Sequence, residues 1–306
     1  MDKIVLLDGH SILNRAFFGM PELTNSKGFH TNAIYGFMNI MMRILEEERP
    51  GYLAVAFDDR TPTFRHTIYQ DYKATRKPMA AELREQVPVM MELLEAMNVC
   101  VLVKPGLEAD DILGTIAVSA EAKGMAVSII SGDKDLLQIA SSLVKIRIPK
   151  TKGGRAVIED YYADDVEKAY QVTPKQFIDV KALMGDPSDN IPGVPKIGIK
   201  TATELVVRFG SLKGIYENLD DITKAAVKES LSENKELAFL SQELATIATS
   251  AEVEFDYQKA KHGSLFTDSA LPILKKLEFS HYLDKYNTTA AVAKTEVAEQ
   301  LTFDFG

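Results

Sequence analysis

The chain has a single cysteine, Cys100, in 306 residues. One thiol excludes an internal disulfide and a cysteine-built metal cage. Five scattered histidines leave little from which to assemble a zinc site. No apolar run approaches the roughly 20 residues that span a bilayer. At the N-terminus the apolar stretch is only Ile4 to Leu7 and ends in Asp8, which is too short for a signal peptide. Together these absences predict a soluble, cytoplasmic protein with no membrane partner. Positive charge is also in deficit. The formal net charge is −9, which as an average argues against a nucleic-acid partner.

What is present is ordinary globular material. Hydrophobic residues make up 46% and charged residues 26%, which argues against disorder, and the length suits one large domain or two modest ones. Short apolar runs at 3–8, 52–57, 99–103 and 126–130 read as buried strands of a parallel sheet. Between them, helical spacing marks 31–47, 82–98 and 108–123, the last stopped by Gly124. Alternating strand and helix predicts an α/β fold with a mostly parallel central sheet flanked by helices. Residues 145–149 and 156–158 flank Gly153 and Gly154 and suggest a hairpin. From 163 to about 285 the pattern is helical, and 287–306 reads as a tail or linker. The expected division is an α/β core over 1–160, a helical region over 161–286 and the tail.

The acidic residues are not scattered. Asp8 follows the first strand and Asp58 the second. Glu108, Asp110 and Asp111 open the helix after the third, and Asp133 and Asp135 follow the fourth. In open α/β sheets, ligands bind beyond the carboxyl ends of the strands. Asp186 and Asp189 form a further pair in the stretch GDPSDN, residues 185–190. These nine carboxylates match the entire formal charge of −9. Clustered, they would repel one another and recruit cations. Oxygen-only ligands select hard ions, so Mg²⁺ or Mn²⁺ is expected, and the number of carboxylates suggests two ions. Paired metals are the usual device for phosphodiester cleavage. Singly, each acid reads equally as a turn or helix cap; their coincidence at one sheet edge is what points to a site.

Two stretches could meet phosphate. Residues 193–202 (GVPKIGIKTA) lie between helical segments and resemble a helix–hairpin–helix, centred in about 185–210. Gly193 and Gly198 allow tight turning, Lys196 and Lys200 add charge, and Thr201 can donate a hydrogen bond. The same stretch also reads as a plain helix connection. Residues 60–77 carry Arg60, Arg65, Lys73, Arg76 and Lys77 against one acid, Asp71, with Phe64, Tyr69 and Tyr72 interleaved. That mixture suits single-stranded nucleic acid, or a solvated basic face. Lys145, Arg147, Lys150, Lys152 and Arg155 form a third basic run, which also reads as a polar hairpin. Arg15, Phe17 and Phe18 follow Asp8 closely enough to reach its neighbourhood.

The stretches LDGHS (7–11), RAFF (15–18), AFD (56–58), YKATR (72–76), GLEADD (106–111), SGDKD (131–135), GDPSDN (185–190) and GVPKIGIKTA (193–202) together resemble the bacterial 5′-nuclease family. Within it they are most similar to the N-terminal 5′→3′ exonuclease domains of DNA polymerase I, related to flap endonucleases. The resemblance runs from about residue 2 to 285 in the family's motif order. It implies a PIN-like nuclease fold and structure-specific cleavage of 5′ flaps and nicked duplexes, in primer removal and repair, with two divalent ions. Asp8, Asp58, Glu108, Asp110 and Asp111 would hold the first metal group, and Asp133, Asp135, Asp186 and Asp189 the second. Tyr72, Lys73 and Arg76 would lie on a helical arch over about 60–95, with Lys73 and Arg76 near the scissile phosphate. Arg15 and the 193–202 hairpin would contact DNA, and the hairpin would also take a K⁺ ion. The resemblance further implies a C-terminal polymerase domain in a parent chain and a place at the nucleoid. Asn14 departs from the family, where an aromatic is common. Two other readings of the residues are a metal-dependent toxin-type ribonuclease and a non-catalytic binder of DNA structures.

Overall fold

The computed structural model describes residues 1–152 and 155–288, without the side chains of 152, 155 and 156. The glycine pair at 153–154 and most of the expected tail lie outside the described residues. Six strands form one sheet: β1 (Lys3–Asp8), β2 (Tyr52–Ala56), β3 (Cys100–Leu102), β4 (Ala126–Ile130), β5 (Val144–Lys152) and β6 (Arg155–Tyr161), in the order β3-β2-β1-β4-β5-β6. β1 pairs parallel with β4, β4 parallel with β5, and β5 antiparallel with β6. Ile4 to Leu7 are all fully buried, which is why β1 reads as a continuous apolar run rather than an alternating one.

The chain divides into two compact units, and each draws on several stretches. The first takes residues 1–9, 56–78 and 102–255; the second takes 10–55, 79–101 and the chain from Asp256 onward. In the first unit, β1, β4, β5 and β6 are joined by the helices Ala109–Ala122, Ala163–Tyr170, Pro174–Met184, Ile199–Phe209, Ala225–Glu233 and Lys235–Ala245, with a short helix Phe64–Ile68 in the basic segment. In the second unit the helix Asn32–Glu48 is started by another helix's side chain. Gln86, fully buried, accepts from the backbone N–H of Ala33 and Ile34 at 2.9 and 3.2 Å and donates to Asn32 Oδ1 at 3.1 Å. These are the N–H groups that a helix leaves without internal partners.

The helix expected over 82–98 is two pieces, Ala81–Arg84 and Gln86–Ala96. Pro88 accounts for the break, since its ring lacks an N–H and crowds the carbonyl four residues back, at Arg84. The helix Gly9–Gly19 carries little sequence signal, with Gly9, Ser11 and Asn14 all weak helix formers. Three members of the third basic run find acids across their own hairpin. Lys145 and Arg147 pair with Asp160 at 3.3 and 2.8 Å, and Lys150 pairs with Glu159. The register that sets Arg147 opposite Asp160 makes those contacts.

Candidate active site

The site is built in the first unit. β1 ends in Asp8 and β4 runs into Ser131, one step beyond the Leu7–Ile130 pair of the ladder. The buried Ser131 hydroxyl donates to Asp8 Oδ2 at 2.7 Å and accepts the Asp133 N–H at 2.9 Å. Asp133 Oδ1 in turn accepts the Asp135 N–H at 2.9 Å. Three of the predicted acids are thereby strung on one hydrogen-bonded turn, with Ser131 as the residue that sequence reasoning missed.

Glu108 caps the helix Ala109–Ala122 from an extended conformation. Asp58 Oδ1 accepts the Ala109 N–H at 2.8 Å, which fixes the end of the second strand against the start of this helix. Asp110 sits at the centre of the charge. Burial first, then the fields of Asp8, Asp133, Asp58 and Glu108, push its carboxyl well above the usual carboxylate range. Asp110 thus feels four of the other eight acids.

Asp111 departs from the expected ligand set. It is fully buried, and its oxygens accept from Arg65 Nη1 and Nη2 at 2.8 and 2.9 Å, from the Glu108 N–H at 3.1 Å and from the Ala248 N–H at 2.8 Å. Four donors saturate it, so it anchors the fold and has no oxygen to offer an ion. Tyr72 also departs from expectation. It is 4% exposed and packed with Ile191, Leu244 and Ala245, so its ring has no open face for a base. What it presents is its hydroxyl, 3.2 Å from Glu108 Oε2 and 3.3 Å from Asp189 Oδ2.

Asp189 and Asp186 are carried on a tight loop. Gly185 and Gly193 have φ of 73° and 65°, and a Cβ on Gly193 would stand 2.3 Å from the Gly185 nitrogen. Only glycine fits there. Basic side chains meet this loop. Lys73, itself at φ 58°, donates to Glu108 Oε1 at 2.6 Å and lies 3.9 Å from Asp189, while Arg76 pairs with Asp189 Oδ1. Lys181, unmarked in the sequence reading, bridges Asp135 Oδ1 and Asp186 Oδ2 at 2.5 Å each. Its signal was available: a lysine among the buried Val180, Ala182 and Leu183 needs a charged partner.

Arg15 lies half-buried on the helix Gly9–Gly19, in the second unit, with Asn14 exposed beside it. In the 193–202 stretch, the Ile197 N–H closes a turn on the Val194 carbonyl at 3.1 Å, with Lys196 at φ 66°. Gly198 caps the helix Ile199–Phe209, and Lys196, Gly198 and Lys200 are exposed. A Cβ at Gly198 would meet nothing within 4 Å.

The donor set suits a hard divalent cation in kind and in charge: carboxylate oxygens alone, with Asp110 pushed well above the usual carboxylate range by desolvation and then by its acidic neighbours. Among the described residues, however, no three His, Cys, Asp or Glu side chains stand grouped as a ready coordination sphere. Lysine and arginine hold several of the oxygens instead.

An α/β sheet with acids at its strand ends, continued by a helical region with a glycine-hinged turn, defines a nuclease class, and the chain belongs to the 5′-3′ exonuclease family. Residues 3–171 match its N-terminal resolvase-like domain and residues 172–267 its C-terminal SAM fold. The chain is 42% identical over 294 residues to DNA polymerase I of Bacillus subtilis, covering 96% of this chain and 33% of that protein. It is 44% identical over 284 residues to DNA polymerase I of Geobacillus stearothermophilus, covering 93% and 32%. It therefore spans about a third of the length of these relatives. Among solved structures, the T5 D15 protein co-crystallised with metal ions aligns with a TM-score of 0.68 at 19% identity, covering 90% of this chain and 98% of that one. The catalytic core of Rad2 in complex with DNA substrate aligns at 0.58 and 17%, covering 90% and 87%. Both share the fold. Among the described residues, no helix is long and apolar enough to cross a membrane.

Proposed function

We propose that the chain is a divalent-metal-dependent, structure-specific 5′-nuclease that hydrolyses DNA at 5′ flaps and nicks. The observation that carries this reading is the half-buried Asp110, whose carboxyl lies in the fields of Asp8, Asp133, Asp58 and Glu108 in a member of the 5′-3′ exonuclease family. Asp8, Asp58, Glu108 and Asp110 would hold one ion, and Asp133, Asp135, Asp186 and Asp189 a second, Mg²⁺ or Mn²⁺. When bound, such ions activate water and neutralise charge at the scissile phosphate. Lys73 and Arg76, presented at the mouth of the site by Glu108 and Asp189, would receive phosphate oxygens there.

Duplex DNA would be gripped by Lys196, Gly198, Lys200 and Thr201, while the buried Gly193, whose N–H donates to Ser241 Oγ at 3.0 Å, shapes the loop behind them instead of touching DNA as expected. Support comes from Gly198, whose bare backbone faces open space at a helix N-terminus, where phosphate can approach N–H groups. K⁺ at this turn belongs to the same proposal, as does Arg15 as a DNA contact. Because the polymerase relatives are three times as long, a polymerase domain in the parent chain, replication and repair as the setting, and a nucleoid location are part of it too. The proposed architecture keeps a nuclease core to about 160 and a helical DNA-binding region to about 286.

The test is cleavage of a labelled 5′-flap duplex with Mg²⁺ and with EDTA. Cutting near the junction that EDTA abolishes is expected. Binding without cutting would favour a structural DNA binder, and preferred cutting of single-stranded RNA a ribonuclease. Asp133→Ala should lower cleavage roughly 100-fold or more while leaving flap binding in a gel-shift assay largely intact. Unchanged turnover would defeat the metal assignment.

A further inference from the structure

Lys181 lies in the last turn of the helix Pro174–Met184, 8% exposed, and reaches two acids from different parts of the chain. Its ammonium contacts Asp135 Oδ1 and Asp186 Oδ2, both at 2.5 Å, so those oxygens are no more than about 5 Å apart and repel strongly without it. The second oxygen of Asp186 is engaged: Oδ1 accepts from the Ser188 N–H at 2.8 Å and the Ser188 hydroxyl at 2.6 Å. The oxygen that faces Asp135 is the one the lysine holds. Burial alone would lower the Lys181 pKa; Asp135 and Asp186 outweigh it and raise it, so the ammonium stays charged. The two acids respond differently to the same cation. Asp186 is held below the usual carboxylate range, because Lys181 and Ser188 together overcome its partial burial. Asp135 is pushed up to about 6, because burial and then the field of Asp133 exceed what Lys181 returns.

We propose that Lys181 is the built-in counter-ion of the Asp135–Asp186 pair, holding it together in the metal-free protein and competing with a divalent cation for the same two oxygens. This rests on the metal-dependent reading above. An ammonium is a compact point charge whose donors point where an ion's coordination bonds would. A cation that uses both Asp135 and Asp186 must displace the lysine from at least one of them. Lys181 is then a positioning residue that sets how tightly metal binds and how stable the protein is without it.

The experiment measures Mn²⁺ binding by calorimetry, without DNA, in the wild type and in Lys181→Met, Lys181→Gln and Lys181→Arg. Removing one competing charge should tighten Mn²⁺ binding several-fold, up to about tenfold, in the Met and Gln variants, with Arg close to wild type. Their metal-free Tm should fall, and the rise in Tm on adding Mn²⁺ should exceed that of the wild type. A lysine that only fills space would lower Tm without changing Mn²⁺ affinity, and that result, or weaker binding in both neutral variants, overturns the inference alone. A wild type that binds no Mn²⁺ overturns the metal reading together with it.

Discussion

Arg65 is 2% exposed, and its guanidinium is fully used: it meets Asp111 twice and also donates to the carbonyls of Leu244 and Thr246 at 3.0 and 2.7 Å. Replacing it with leucine leaves the buried Asp111 with only the Glu108 and Ala248 N–H groups as partners, which should cost about 3–5 kcal/mol in urea unfolding. The double variant Arg65→Leu with Asp111→Leu should recover part of that loss; no recovery would show that the carbonyl contacts matter more. On the half-buried His30, Nδ1 lies 2.9 Å from Glu85 and Nε2 3.3 Å from Glu22, and the bond to Glu85 leads in raising its pKa. The charged ring is favoured in the folded state, so its contribution to stability is complete below the unfolded pKa and is lost as pH rises through the folded one. Glu85→Gln should move the His30 NMR titration midpoint downward. A midpoint that stays in place would remove that pair from the account. Residues of this kind divide sharply in how well sequence exposes them. The acids at strand ends were visible because strand ends are visible. The fate of Asp111 was not, since nothing local announces that Arg65, 46 positions away, will claim both its oxygens.

Among the elements, the loop from Gly185 to Gly193 has the least freedom. Gly193→Ala would put a methyl against the Gly185 backbone at positive φ and should destabilise the protein by about 2 kcal/mol or more. Thermal unfolding measures this, and Gly198→Ala is the control, having open space and ordinary φ. Equal losses at the two positions would refute the steric account. Strands β1 and β4 were read with their bounds because continuous apolar runs stop abruptly at Asp8 and Ser131. The split of 81–96 was carried by Pro88 and needed only its ring geometry. The helix Gly9–Gly19 was invisible because its glycines and short polar residues carry no helical propensity, and packing supplies it instead: Ile12, Leu13 and Ala16 are buried at helical spacing. The basic run at 145–155 read either as a phosphate surface or as a polar hairpin, and the hairpin forms; which acids its cations meet is decided by register, not by composition.

For the whole molecule, the interleaved units set the expectation. A fragment ending at residue 160 would lack 161–255 of the first unit and everything from Asp256 in the second. It should show no cooperative urea transition by circular dichroism, whereas 1–288 should. A sharp transition in the short fragment would restore a boundary near 160. This feature also bears on synthesis. A ribosome delivers residues 1–9 first, and they must wait for roughly 245 more before the rest of their unit has emerged. Until then the apolar strand Ile4 to Leu7 has no finished surface to join. A cell making this protein therefore has reason to shield the newly made β1, and translation stalled between β1 and residue 255 should leave chains that aggregate.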